Sequence, residues 1–573
     1  MTVSRQSSHF WKTRYRLNVP VACAVAALLS ACSSGHSETQ VVEPEQWDLL
    51  ITNARIVDGT GSPWYRGSVG VDDGRIVWVS SSETPDVEAL DRVDAEDLVL
   101  SPGFVDMMGQ ESLPYVTNPA SAASKLMQGI TLHASGEGYT SAPHNLFTQP
   151  EPVLIEGNPY RWQNFDEYFE ILETYGVPVN VIHNVGASQV RLIVIGEEDR
   201  EATPDEIREM QDLIAVAMEQ GASGLSSALI YPPGLFQSTE ELTELARAIK
   251  PYGGVYSTHM RNESSRLLEA IEEAITIGRE AEVPVHIYHL KAAGLSNWPL
   301  IEPALVLIAK ARAEGIDVTT DIYPYLRNGL GLGAFLPPES YAQGWDSMKQ
   351  SLSDPETRNR YRTRMEEGAD FENWYHHVGK DWGNVQIIST ALGEDLNGLS
   401  IADAAEKSRQ DVWSFVFDTV MNHEVAVAPY TMNIEQKYSA LRYPFVMFDT
   451  DMSPVSGGGA HPRGYGSMTR VLAKYVREDK ALTLEDAVRR LTSAGANRLG
   501  VYDRGRIAVS MAADLVLFDP DTVQDLATYS DAAQYPTGIR HVWVNGEYAV
   551  KDGNMTEARA GQVIRFGQSS AAN

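Results

Sequence analysis

The chain has 573 residues, of which 43% are hydrophobic and 21% charged. This length exceeds one ordinary domain, and the composition excludes a largely disordered chain. A formal net charge of −31 repels polyanions and excludes a nucleic-acid-binding role.

Arg5, Lys12, Arg14 and Arg16 precede an apolar run, 19–29, that is too short to span a membrane. The segment Leu28-Leu-Ser-Ala-Cys32 that closes this run resembles a bacterial lipobox, in which Cys32 becomes the lipidated first residue. The alternative is a plain signal peptide cleaved near Ala31. Either implies export. Loss of residues 1–31 removes four positive charges and takes the formal charge from −31 to −35. The only two cysteines, Cys23 and Cys32, lie in the targeting segment, so the mature body has no disulfide and no thiolate metal ligand. Residues 32–46 read as a tether. Ser33 after the cysteine resembles the sorting pattern of outer-membrane lipoproteins. That implies a body facing the periplasm and joined to the membrane only through its lipid anchor.

From residue 47 to 102 the pattern is β, with Asp72-Asp-Gly74 as a hairpin turn between Val69-Gly-Val71 and Arg75-Ile-Val-Trp-Val79. Residues 501–569 are similar in kind, so the two ends predict one small β domain, a sandwich built from both termini. The middle, 103–500, alternates. Val177-Pro-Val-Asn-Val181 reads as a strand, and Thr203-Pro-Asp-Glu206 is a capping box that opens a helix. Gly224-Leu-Ser-Ser227 is the next strand, and Ser238-Thr-Glu-Glu241 opens the next helix. Val385-Gln-Ile-Ile388, Val425-Ala-Val-Ala428 and Phe445-Val-Met-Phe448 read as later strands of the same series. Repeated β/α units over this length predict a (β/α)8 TIM-type barrel. The irregular, Trp- and Tyr-containing stretch 333–384 reads as an insertion over its mouth.

The centre of the chain is the unit Ser257-Thr-His259, helix, Val285-His-Ile-Tyr-His289. Leu267, Leu268, Ile271, Ala274 and Ile275 have helical spacing, so the flanking strands are parallel neighbours with their C-terminal ends together. His259 and His289 then stand side by side at the barrel mouth. Gly136-Glu137-Gly138 and Phe448-Asp-Thr-Asp451 end two further strands. One carboxylate and two imidazoles suit a catalytic zinc with an open position, and a second carboxylate beside them can move the proton of its water. Glu137, His259 and His289 are the expected ligands. Asp449 and Asp451 are the candidates for the base.

These motifs resemble the amidohydrolase superfamily and, within it, the N-acyl-D-amino-acid deacylases (D-aminoacylases). The pieces that carry the resemblance are Ser101-Pro-Gly-Phe-Val-Asp106, Thr258-His-Met-Arg261, His289-Leu-Lys291, Asp321-Ile-Tyr-Pro-Tyr325, His461-Pro-Arg-Gly-Tyr-Gly466 and Ala513-Asp-Leu-Val516. Two departures stand out. Met108 and Gln110 occupy the places of the family's His-x-His pair, and Glu137 stands where the D-aminoacylases use a cysteine. Some N-acetylglucosamine-6-phosphate deacetylases hold one metal through a glutamate and two histidines, and the present pattern resembles theirs. The resemblance implies one divalent ion, Asp451 as general base, and Lys291, Tyr323 or Tyr325, and Arg463 as holders of a substrate carboxylate. An ion pair is the alternative role for Lys291. The implied activity is removal of the N-acyl group from a small-molecule N-acyl-D-amino acid. The alternatives are a hydrolase of cyclic amides or imides on the same site, and an envelope lipoprotein that binds such ligands without turnover.

Overall fold

The computed structural model describes residues 46–567 except 83–84, 342–343, 391 and 459. The signal segment, Cys32 and the tether up to residue 45 lie outside the described residues. Eight parallel strands make the barrel: β1 (Phe104–Asp106), β2 (Ile130–Ser135), β3 (Asn180–His183), β4 (Gly224–Ala228), β5 (Val255–His259), β6 (Val285–Ile287), β7 (Val318–Ile322) and β8 (Val446–Phe448). Their hydrogen bonds form two arcs, β1–β3 and β4–β8, joined where Val185–Gly186, just beyond β3, pairs with β4. At the β8/β1 seam side chains close the ring. The Asp106 carboxylate accepts the Thr450 N–H at 2.9 Å and Lys125 Nζ at 2.7 Å.

The helices between strands follow their sequence signals. Thr203 and Glu206 form a reciprocal capping box at the start of Pro204–Glu219, with proline in its first turn. Leu267–Ala281 joins β5 to β6 and buries Leu267, Ile271 and Ile275 against the barrel. Each such side chain contributes roughly 1.5–3 kcal/mol relative to exposure. This packing fixes the two histidine-bearing strand ends side by side.

Residues 46–102 and 515–555 share one nine-stranded sheet. It folds back on itself: Ile76 N–H donates to the Met511 carbonyl and Ser510 N–H to that of Ile76. Leu49, Ile51, Val69 and Val71 of one arm thereby meet Leu515, Leu517 and Trp543 of the other. The C-terminal stretch expected in this domain goes elsewhere. Gly561 N–H bonds to Val177 and Ile564 N–H to Val181, beside β3.

The insertion is larger than the sequence suggested. Val385–Thr390 and Val425–Pro429 are not barrel strands. With Leu330–Gly331 they form a separate antiparallel sheet, and residues 330–429 carry their own apolar core around Phe335, Trp374, Trp382 and Trp413. A short apolar run has the same local pattern in either sheet, because its partner strand leaves no local mark. The expected Val177–Val181 strand likewise begins later, at Asn180. Among the described residues no helix is long and apolar enough to cross a membrane.

Candidate metal centre and active site

Glu137 follows β2 between two glycines, both with left-handed φ (Gly136 +103°, Gly138 +75°). A Cβ on Gly138 would lie 2.6 Å from the Ala228 nitrogen, so only glycine lets this turn press against β4. His259 ends β5, and His289 lies two residues past β6 with φ +37°. Gln110 and Asp451 also have positive φ, 63° and 43°. Three of the residues facing the cavity are thus turned toward the mouth by backbone that side chains rarely adopt, a form of strain that collects at functional sites.

The structure brings Glu137, His259 and His289 together. One ligand atom from each lies within 4.8 Å of the other two. Glu137 Oε1 is 2.7 Å from His259 Nδ1 and 3.2 Å from His289 Nε2, and the two imidazoles cross at 82°. A carboxylate oxygen and two ring nitrogens converging on one point fit a divalent ion of the zinc type with a free position. Burial and Lys291 push His289 down, but Glu263 and Glu137 outweigh them, and it is pushed up to about 10. Burial raises Glu137, yet its bonds to the two imidazoles hold it well below the usual carboxylate range. Glu137 thus keeps its negative charge beside the His289 imidazole.

Glu263, four residues after His259, escaped the sequence reading. Its Oε1 lies 2.9 Å from His289 Nδ1 and 2.5 Å from Lys291 Nζ. It thereby holds the outward nitrogen of a ligand imidazole, the arrangement that orients metal ligands. Lys291 pairs with Glu263 and still faces the cavity. The signal that could have found Glu263 is its place in the loop that follows a ligand-bearing strand.

The opposite side of the mouth is built differently. Gln110 Nε2 donates to Glu137 Oε2 at 2.7 Å and to Asp451 Oδ1 at 3.0 Å. Arg463 pairs with Asp451 Oδ2 and faces the cavity. Met108 is buried. Asp449 is fully buried and does not face the cavity. Burial, then Asp321 and Asp451, push its carboxyl well above the usual range. Asp321 is also structural, accepting the His289 N–H and His286 Nε2.

Tyr323 lies beneath the cluster. Arg463 sits 4.8 Å and Lys291 5.8 Å from its ring centre, and its buried hydroxyl has no partner among the described residues. Tyr325 does not join them. Its hydroxyl turns to Asp525 at 3.4 Å, with Arg470 over its ring. β7 has ended at Ile322 and Pro324 intervenes, so strand alternation no longer sets which way residue 325 faces. The cavity that Glu137, His259, His289, Lys291, Asp451 and Arg463 line measures about 320 Å³, the size of a small-molecule site.

Residues 397–550 match the model of the amidohydrolase family. The chain is 32% identical over 526 residues to a D-aminoacylase of Alcaligenes xylosoxydans xylosoxydans, covering 91% of this chain and 98% of that protein. Among solved structures it resembles the N-acyl-D-glutamate deacylase of Bordetella bronchiseptica, complexed with zinc and a phosphonate that mimics the tetrahedral intermediate. The TM-score is 0.76 at 29% identity, over 91% of this chain and 100% of that one. It also resembles a D-aminoacylase whose binuclear metal centre is described as activated by one metal and attenuated by the second. There the TM-score is 0.73 at 30% identity, again over 91% and 100%.

Proposed function

Because the chain belongs to the D-aminoacylase branch of the amidohydrolases, we propose that it hydrolyses N-acyl-D-amino acids with one zinc ion held by Glu137, His259 and His289. The single observation that carries this reading is the convergence of those three donors beside Asp451 in a cavity that Lys291 and Arg463 also line. A bound divalent ion supplies a Lewis acid for the acyl carbonyl and lowers the pKa of its water. Asp451 would accept a proton from the attacking water and pass it to the departing amine. Gln110 and Arg463, one on each of its oxygens, hold the carboxylate in place. Arg463 and Lys291 offer cationic donors to the substrate carboxylate, and Tyr323 supports both from below. Two inward cations favour this substrate over a cyclic amide or imide, which brings no carboxylate.

One metal is favoured by the residues at the vacated family positions. Thioether sulfur and a neutral amide are poor zinc ligands beside imidazole, and the Gln110 amide is committed to Glu137 and Asp451. We also propose that the protein is exported and anchored through Cys32. Cys32→Ala should release it from the membrane fraction or block its processing, and unchanged membrane association would refute the anchor. The activity is tested by presenting paired N-acyl-D- and N-acyl-L-amino acids to the zinc-loaded enzyme. Turnover confined to the D series is expected. Equal or preferential cleavage of the L series would overturn the assignment.

A further inference from the structure

The catalytic cavity borders a larger one that the amidohydrolase chemistry does not use. This second space, about 980 Å³, lies between the barrel loops after β4 and β5 and the insertion, and shares Tyr231, Leu330 and Trp374 with the first. Ile230, Leu235, Phe236, Ala334, Leu336 and Phe371 give it apolar walls. Five carboxylates and two guanidinium groups also line it, and both guanidinium groups are paired: Arg261 with Glu273 at 2.9 Å and Arg266 with Glu269 at 2.7 Å. A groove of this kind repels an anionic headgroup and accepts an uncharged apolar chain.

The catalytic end gives the groove a direction. The Tyr231 ring stands edge-on to His259 at 5.8 Å, whereas Tyr323, beneath Arg463 and Lys291, stands edge-on to His289 at 6.5 Å. A ligand laid across the two imidazoles with its carboxylate at Arg463 therefore sends its other end past Tyr231 into the groove. In an N-acyl amino acid that other end is the acyl chain.

We propose that the groove binds the hydrocarbon chain of the substrate, so that the substrate class is N-fatty-acyl amino acids instead of N-acetyl ones. This inference rests on the deacylase reading above. The reaction balances as simple hydrolysis. The amide C–N bond breaks, the water oxygen joins the acyl carbon to give a free fatty acid, and the proton goes to the amino nitrogen. Burying each methylene at about 0.8 kcal/mol is worth roughly a threefold to fourfold gain in kcat/KM until the chain fills the groove.

The test is a chain-length series, acetyl to dodecanoyl, on one D-amino acid with the zinc-loaded enzyme, repeated with Ala334→Trp. Ala334 lines only the larger space, and an indole there would obstruct it. A rise in kcat/KM of at least about a hundredfold from acetyl to the longer chains, lost in Ala334→Trp, is the expected result. Acetyl turnover with a flat or falling series would overturn the groove assignment and leave the deacylase reading standing. A rise that Ala334→Trp leaves intact would place the chain elsewhere and also overturn it. Failure to cleave any member would overturn the deacylase reading and this inference with it.

Discussion

The two sides of the barrel mouth meet over one cavity and are built on different chemistry. On the β5/β6 side, two imidazoles converge on Glu137 and are steadied from behind by Glu263 and Lys291. On the β8/β1 side no imidazole stands among the described residues of the cavity wall. A neutral amide, Gln110, and a guanidinium, Arg463, grip Asp451 instead. Two histidines do lie beneath the β1 loop, but as props. His133 packs under Gly109, where a Cβ would come within 2.6 Å of its ring, and His183 bonds to Ser112 at 3.0 Å. On the proposed reading the contrast separates two tasks that a binuclear centre would combine: one side would hold the metal, the other the base.

The sharpest way to break that contrast is at the base. Asp451→Asn keeps the shape and removes the proton acceptor. It should lower kcat about a hundredfold to ten-thousandfold while bound metal and thermal unfolding stay near wild type. Near-wild-type turnover in this variant would remove Asp451 from the mechanism.

The β8/β1 side also rests on a buried ion pair. Lys125 and Asp106, both fully buried, meet at 2.7 Å, and Thr450 completes the contact. Burial raises Asp106, and Lys125 more than compensates, holding it below the usual range. Lys125→Met leaves that carboxylate uncompensated and should cost about 3–5 kcal/mol in denaturant unfolding. A loss below about 1 kcal/mol would show that the seam is closed by other contacts.

On the metal side, Glu263→Gln should weaken metal affinity about tenfold to a hundredfold, since it removes the anionic partner of His289 Nδ1. Competition against a chelator reads this directly. An unchanged affinity would mean that Lys291 or the backbone orients the imidazole alone.

The buried props give the smallest effect, and it appears only in acid. Burial lowers His133 and His183 to about 3, against about 6.5 in an unfolded chain. Each therefore contributes stability that is complete above pH 6.5 and is lost as pH falls from there toward 3. The loss between pH 7 and pH 5 is roughly 2 kcal/mol per histidine. His183→Gln should flatten the acid limb of the stability curve by about one proton. A limb as steep as wild type would show that His183 does not govern it.

Much of the site was legible because the parallel strand–helix–strand rule fixes where strand ends go. His259 and His289 were placed by the spacing of one helix, and Glu137 by its place at the end of a strand. The same rule failed where local pattern does not name a partner. Val385–Thr390 and Val425–Pro429 read as barrel strands and belong to the insertion. Tyr325, past the end of β7, turned away from the cavity. Glu263 reaches the site on a loop that carries no period, Trp374 on a single helical turn of the insertion, and Gln110 reads from the sequence only as a missing histidine.

One metal is proposed to serve this site. That proposal is tested most directly by adding zinc in known equivalents to metal-free protein while following hydrolysis of an N-acyl-D-amino acid. Activity should rise to its plateau at about one ion per chain, and His259→Ala should abolish both the plateau and the tight binding. A plateau reached only at two ions per chain, with both lost in His259→Ala, would contradict the division of the mouth described above.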